Sequence, residues 1–264
     1  MSVPAGMEFA RMARMIDQLL RKSGSDWPKN AAVPDGKRIY AIGDIHGRAD
    51  MLDELLYDIE QESGSLDAVQ LVFLGDYVDR GDDSRGVIEK LIQIAANHEN
   101  AVFLKGNHEE LMLDFLEEPE DLGHWLDWGG EETMESYGIS TVGQPKEALA
   151  EQWFALAPKT HFDFLKSLKL HHIEGDFLFV HAGLRPGAPL EEQTDADMLW
   201  IRKRFHNAAP NERPDHVVVH GHTPTAKPVD AGWRIGVDTG AVYGGMLTAV
   251  VLEGTERRFL SVAD

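Results

Sequence analysis

The hydrophobic pattern alternates between short apolar runs and helical stripes along the first half of the chain. The apolar runs predict strands over Arg38–Ile42, Val69–Leu74 and Ala101–Leu104. Between them, apolar residues recur at helical spacing over Arg48–Glu62 and Arg85–Ala96. Such alternation is typical of βαβ units, in which successive strands run parallel in one sheet.

The pattern changes over residues 109–172, where helical spacing continues without strand signals. Three tryptophans and turn signals at Gly129-Gly130 and Gly143 predict a helical insertion, in which we expect the tryptophans to form a local core. Strands return at Phe177–Val180, Val217–Val219, Arg234–Val237, Leu247–Leu252 and Arg257–Val262, and the last two are expected to form a hairpin. The expected fold class is therefore α/β, with two packed mixed β-sheets flanked by helices (an α-β-β-α sandwich).

The N-terminal region differs from this pattern. Residues 7–22 place apolar side chains on one helical face, and residues 23–36 are rich in Gly, Ser and Pro, which is typical of a loop. We therefore expect an N-terminal helix and loop over residues 1–36. A single domain is expected over residues 37–264, with the helical insertion inside it.

Composition excludes several kinds of site and partner. The chain has 264 residues, no cysteine and a formal net charge of −20, so thiolate metal sites and cysteine nucleophiles are excluded. The acidic balance argues against nucleic acid and anionic membranes as partners. Without a signal peptide or a transmembrane run in the sequence, we expect a cytoplasmic protein.

Polar groups follow three successive predicted strands. Asp44, Asp76 and Asn107 each come directly after a glycine at a strand end, and they are 32 and 31 residues apart. Because ligands bind beyond the carboxyl ends of the strands in open α/β sheets, this spacing should bring the three groups to one edge. His181 and His222 follow two later strands and are expected to join them.

These groups form a mixed set of carboxylates, imidazoles and an amide. Such a set suits Mn²⁺, Fe²⁺ or Zn²⁺ better than Ca²⁺, which prefers oxygen ligands alone. Six or more donors exceed what one metal takes from a protein, so two divalent metals sharing a carboxylate are expected. The other histidines, including His161, lack the strand-end context and are expected on the surface or in loops.

The ordered motifs resemble those of the calcineurin-like metallophosphoesterases, and more closely those of the phosphoprotein phosphatase branch with its bacterial serine/threonine phosphatases. The resemblance extends from about Ile39 to Leu252 and rests on five motifs: Gly43-Asp44-Ile45-His46-Gly47, Gly75-Asp76-Tyr77-Val78-Asp79-Arg80-Gly81, Gly106-Asn107-His108-Glu109, His181-Ala182-Gly183 and His220-Gly221-His222-Thr223.

The resemblance implies a role for each matching residue. The first metal would be held by Asp44, His46 and Asp76, and the second by Asp76, Asn107, His181 and His222. The catalytic pair would be His108, as general acid, and Asp79. The phosphate-binding residues would be Arg80, Asn107, Arg202 and Tyr243.

We therefore expect a two-metal phosphatase, with Mn²⁺ as the expected metal, that hydrolyses phosphoserine or phosphothreonine by direct attack of metal-bound hydroxide. The partner would be a phosphorylated protein or a small phosphoester; the sequence leaves the oligomeric state undetermined. Hydrolysis of dinucleoside polyphosphates of the diadenosine tetraphosphate type is the alternative. The intact Asp79-Arg80 pair favours the monoesterase, because the second motif of the dinucleotide hydrolases usually lacks that aspartate. A non-catalytic binding module is a further alternative, although no ligand is missing from the motifs.

Overall fold

A computed structural model describes Pro28, residues 30–120 and residues 123–263. The predicted helix over residues 7–22 lies outside the described residues. No helix in the described part of the chain is long and apolar enough to cross a membrane.

The first sheet has a mostly parallel half and an antiparallel hairpin half. It contains β1 (Arg38–Ile42), β2 (Gln70–Phe73), β3 (Val102–Phe103), β9 (Asp238–Thr239), β10 (Met246–Glu253) and β11 (Glu256–Ala263). The strand order is β11-β10-β1-β2-β3, with β9 beside β10. The strands β1, β2 and β3 run parallel, whereas β10 is antiparallel to both β1 and β11.

The second sheet has three parallel strands at its centre. It contains β4 (His171–Glu174), β5 (Phe177–Val180), β6 (Val217–His220), β7 (Val229–Asp230) and β8 (Arg234–Gly236), in the order β4-β5-β6-β8-β7. The strands β5, β6 and β8 are parallel, and the edge strands β4 and β7 are antiparallel to their neighbours.

Helices connect the strands and cover the outer faces. The α-helices are α1 (Ala49–Ser63), α2 (Ser84–Asn97), α3 (Asn107–Glu117), α4 (Gly130–Ser136), α5 (Lys146–Leu156), α6 (Lys159–Ser167), α7 (Asp195–Trp200) and α8 (Lys203–His206). Short 3₁₀ turns lie at Leu66–Ala68, Gly123–Trp128, Leu190–Glu192, Pro210–Glu212 and Ala241–Tyr243.

The alternation of side chains along each strand builds three apolar layers. In β1, Ile39 and Ala41 face a core shared with Phe177 and Val219 of the second sheet. Tyr40 and Ile42 point to the opposite face, where they pack with the apolar stripes of α1, α2 and residues 107–167. A third cluster covers the outer face of the second sheet. This layering confirms the predicted sandwich of two mixed sheets.

Residues 107–167, called here the helical segment, contain helices α3 to α6. The segment ends earlier than the predicted insertion, because His171 and His172 pair with β5 as part of β4. His161 also differs from its predicted surface position. Its side chain is buried, and the Tyr137 hydroxyl lies 2.8 Å from its Nδ1 atom.

Candidate active site

The carboxyl ends of the parallel strands from both sheets meet around one cavity of about 150 Å³. Its lining includes most of the predicted site residues: Asp44, His46, Asp76, Arg80, Asn107, His108, Arg202, His222 and Tyr243. His181 and Asp79 are fully buried beside it. The structure therefore brings together all eleven residues predicted from the sequence.

Asp76 lies at the centre of this arrangement. One carboxylate oxygen, Oδ2, is 3.5 Å from His46 Nε2, and the other, Oδ1, is 3.4 Å from His181 Nε2. Two groups of potential metal ligands share this residue, His46–Asp76–His108 and Asp76–His181–His222. A single carboxylate facing two imidazoles on opposite sides is suited to bridge two cations.

The histidines are oriented by their second ring nitrogen. Nδ1 of His46 donates to the Val78 carbonyl at 2.8 Å, and Nδ1 of His181 donates to the Leu74 carbonyl at 2.9 Å. His222 likewise bonds to the Trp200 backbone. Metal-ligating histidines typically donate their other ring N–H in this way. Nε2 of His46 and Nε2 of His181 are thus directed towards Asp76, and the donor set fits divalent cations.

Two glycines allow main chain to approach the carboxylates closely. A Cβ atom at Gly221 would lie 2.0 Å from Asp44 Oδ1, and one at Gly106 would lie 2.2 Å from Asp76 Oδ1. Because Gly221 has no side chain, the His222 N–H can donate to both oxygens of Asp44 at 3.1 Å. The glycines before Asn107 and His222 are therefore required by these close contacts.

The buried carboxylates of the site, Asp44 and Asp76, need positive charge nearby to be stable in their ionised form. Burial, followed by the charge of Asp238, raises the pKa of Asp44 well above its ordinary value. Burial would also raise the pKa of Asp76, but His181 and His108 outweigh it and hold that pKa well below the usual range. Burial disfavours the charged form of His181, yet Asp76 raises its pKa to about 10. In the metal-free protein a proton on His181 thus supplies positive charge to the carboxylates.

Backbone strain is concentrated in the site. Among the described residues, those other than glycine with positive φ are His46, Asp76, Asp79, Arg80 and His222, with values from 45° to 75°. Such conformations cost on the order of 1–3 kcal/mol each and persist only where the surroundings enforce them. All five were selected from the sequence as site residues.

His108 and Asp79 form a buried pair. Nδ1 of His108 lies 2.6 Å from Asp79 Oδ2. The same carboxylate accepts the indole N–H of Trp125 at 2.8 Å and the hydroxyl of Thr133 at 2.7 Å. Burial lowers the pKa of His108, but Asp76 and the bond to Asp79 outweigh burial and raise it. The helical segment therefore anchors this pair through Trp125 and Thr133, which sequence reasoning missed.

Two guanidinium groups contact the imidazoles at the cavity. Arg80 Nη1 and Nη2 lie 2.5 Å and 2.7 Å from Nε2 of His46 and His108, and Arg202 Nε donates to His222 Nε2 at 2.9 Å. Tyr243 is exposed at the mouth, where its ring centroid is 5.7 Å from Arg80 Cζ. These cations supply the local positive charge that an anionic ligand requires in an acidic protein.

Glu109 connects the loop after β2 to the loop after β3 through hydrogen bonds. Its buried carboxylate accepts the main-chain N–H groups of residues 76, 77, 78 and 106 at 2.7–3.2 Å. Burial raises its pKa to about 7. The sequence motif contains Glu109, but nothing in the residue pattern indicated that it ties the loop after β2 to the loop after β3.

Asp238 is a further acidic group at the cavity. It lies beyond the end of β8, and burial raises its pKa to about 6. The strand-end rule that selected Asp44 and Asp76 applies to it as well, because Asp238 follows the apolar run Ile235–Val237. This signal was present in the sequence and was not used.

Comparisons with known proteins agree with this geometry. A family model described as calcineurin-like phosphoesterase matches residues 37–244. The chain is 28% identical over 246 residues to a bis(5′-nucleosyl)-tetraphosphatase (asymmetrical) PrpE from Oceanobacillus iheyensis, a match that covers 86% of this chain and 92% of the relative.

Solved structures share the fold. One, described provisionally as a diadenosine tetraphosphatase, has a TM-score of 0.61 at 24% identity. The match covers 89% of this chain and 97% of the other chain. A protein serine/threonine phosphatase from Saccharomyces cerevisiae has a TM-score of 0.55 at 15% identity, with coverages of 97% and 90%. The relative from Oceanobacillus iheyensis is thus named for cleavage of a dinucleotide, whereas the protein phosphatase shares the fold at low sequence identity.

Proposed function

Since the chain belongs to the calcineurin-like phosphoesterase family, we propose that it hydrolyses small phosphate compounds and that dinucleoside tetraphosphates are its substrate class. The support for this class is the similarity to the tetraphosphatase from Oceanobacillus iheyensis, which extends over most of both chains. The protein serine/threonine phosphatase from Saccharomyces cerevisiae is only 15% identical and supports the fold alone.

The observation that carries the proposal is the position of Asp76 between His46 and His181. We infer that Asp44, His46 and Asp76 hold one divalent ion and that Asp76, Asn107, His181 and His222 hold a second. Mn²⁺ is the proposed metal, and Fe²⁺ and Zn²⁺ also suit these donors. When bound, such ions neutralise phosphate charge and lower the pKa of coordinated water.

The chain's own residues would bind the phosphate and supply the proton. Arg80 and Arg202 reach the cavity from two sides and can donate to phosphoryl oxygens, Arg80 through a bidentate pair of N–H groups. Asn107 lines the same wall, and Tyr243 covers the mouth. His108 would protonate the leaving oxygen, with Asp79 fixing its ring and stabilising its charged form.

Phosphomonoester hydrolysis is the second candidate, favoured by the buried pair of His108 and Asp79. An alkoxide, such as the one leaving from phosphoserine, is a poor leaving group and gains more from a general acid than a nucleotide phosphate does. The His108–Asp79 pair therefore suits a phosphomonoester, whose leaving alkoxide needs a proton, better than a phosphoanhydride, whose leaving group does not.

Assays of the Mn²⁺-loaded protein with diadenosine tetraphosphate and with a phosphoserine peptide, followed by product chromatography, separate the two candidates. We expect the higher kcat/KM for the dinucleotide, cleavage to AMP and ATP, and loss of activity with a chelator. A higher kcat/KM for the phosphopeptide would establish the second candidate instead. Inactivity towards both substrates with Mn²⁺, Fe²⁺ and Zn²⁺ would refute both.

A further inference from the structure

A groove opens directly from the catalytic cavity and runs along the helical segment. It shares Arg80, Asn107, His108, Arg202 and Tyr243 with the cavity and continues between Asp127, Trp128, Gly129, Glu132 and Trp200. We call this extension, from Asp127 to Trp200, the tryptophan groove. Because His108 lines both spaces, a leaving group protonated by His108 would lie at the entrance of the groove.

The wall of the groove is aromatic and exposed. Trp128 is 46% exposed, whereas Trp125 and Trp153 of the same helical segment are fully buried. The Trp128 ring packs edge-to-face on Trp200 with 5.9 Å between centroids, and Trp200 is fixed by its indole N–H donating to Glu110 at 2.7 Å. Trp125 and Trp153 thus pack in the core of the segment, whereas nearly half of the Trp128 surface faces solvent and can contact a flat apolar ligand.

The charges in the groove exclude a phosphate from its far end. Asp127 and Glu132 line it, and neither carboxylate has a hydrogen-bond or ion-pair partner among the residues that the structure describes. The cations Arg80 and Arg202 lie only at the end shared with the cavity. A ligand that spans both spaces would therefore place its phosphate on the arginines and a neutral group with N–H donors in the groove.

We propose that the tryptophan groove binds the nucleobase of a nucleotide, stacked on Trp128, with its amino groups donating to Asp127 or Glu132. This inference rests on the proposed function, because a nucleotide leaving group is what the groove would accept. It assigns substrate selectivity to the helical segment, whereas the strand ends hold the phosphate.

The test measures inhibition constants with p-nitrophenyl phosphate as the reporter substrate, so that it does not depend on dinucleotide cleavage. In the Mn²⁺-loaded Trp128→Ala variant we expect the Ki of AMP to rise about tenfold or more, because stacking of one base contributes about that factor. The Ki of inorganic phosphate, which does not reach the groove, should change less than about twofold. Phe154→Ala is the matched control, since Phe154 is similarly exposed on the same segment but packs on Trp153 and Phe162.

The outcomes separate this inference from the proposed function. Equal rises in both inhibition constants, or the same rise in Phe154→Ala, would overturn the nucleobase site. A rise for AMP alone supports the site even if the wild-type protein fails to cleave diadenosine tetraphosphate, in which case only the proposed substrate class is wrong. For the carboxylates, wild-type protein should prefer AMP over purine riboside 5′-monophosphate, which lacks the amino group, and Glu132→Gln should reduce that preference. Equal affinity of the wild type for the two nucleotides would remove the carboxylates from the inference.

Discussion

The strand ends and the helical segment contribute to one cavity by different physical means. At the strand ends, the main chain of Asp76 and His222 is strained, and glycines pack tightly against the carboxylates of Asp44 and Asp76. In the helical segment, Trp125 and Thr133 do not line the cavity. They affect it indirectly, because their side chains donate hydrogen bonds to the carboxylate of Asp79. The proposed metal ligands are therefore positioned mainly by the backbone, whereas the His108–Asp79 pair is also held by side chains, which a substitution can remove without displacing those ligands.

The largest expected effect is at the strand ends. Asp76→Asn removes a charge that faces both His46 and His181, so the protein should bind fewer divalent ions and lose about 10³-fold or more in kcat. Elemental analysis and steady-state kinetics measure the two effects. Asp82→Asn, an exposed carboxylate in the next turn, is the control. Two bound ions and full turnover in Asp76→Asn would contradict the bridging role.

The next substitution tests where the boundary between the two regions lies. His108→Asn should lower kcat by about 10²–10⁴-fold while leaving the metal content unchanged, because His108 is proposed to donate a proton. Its nitrogen also lies within reach of a metal bound by His46 and Asp76. A variant that loses metal in parallel with activity would therefore identify His108 as a ligand.

A smaller effect is expected within the helical segment. Trp125→Phe deletes one donor to Asp79, and we expect about a tenfold loss of kcat, the lower end of what an outer-shell hydrogen bond contributes. The loss should be larger for phenyl phosphate than for p-nitrophenyl phosphate, because the poorer leaving group depends more on the acid.

Trp153→Phe provides the matched control for that experiment. Trp153 is equally buried in the same segment, but its indole nitrogen has no hydrogen-bond partner in the described structure. Equal losses for both substrates, or equal losses in both tryptophan variants, would reduce Trp125 to a packing residue.

The smallest effect concerns the stability of the helical segment. Burial lowers the pKa of His161 below its ordinary value of 6.5. Below pH 6.5 the His161 side chain is therefore protonated in the unfolded chain but remains neutral in the folded protein. The free energy of unfolding consequently decreases as the pH falls from 6.5 towards the pKa of His161 in the folded protein. His161→Gln should flatten the decline in urea midpoint between pH 7 and pH 5. A wild-type slope in His161→Gln would contradict this linkage.

The strand ends could be predicted from the sequence because a parallel sheet converts spacing along the chain into proximity. Asp44 and Asp76 are 32 residues apart, yet one βαβ unit returns the chain to the same edge. The same rule would have found Asp238. The five described residues other than glycine with positive φ also lie in the sequence motifs.

The helical segment offered no such rule. The contact between Trp125 and Asp79 depends on how a 3₁₀ turn packs against α3 and α4, and an apolar pattern does not distinguish a tryptophan that donates a hydrogen bond from one that fills a core. The exposure of Trp128 and the burial of His161 likewise depend on how the helices of this segment pack. The motifs also do not decide between the substrate classes, because the groove next to His108 is made largely by residues outside them.

Glu109 gives the reactive edge a property that loops seldom have. The Glu109 carboxylate accepts the N–H groups of residues 76–78, after β2, and of residue 106, after β3. These amide hydrogens therefore exchange with solvent only when the two loops separate from each other. Their deuterium uptake should then be as slow as that of the central strands, and we expect faster uptake at the exposed mouth around Tyr243.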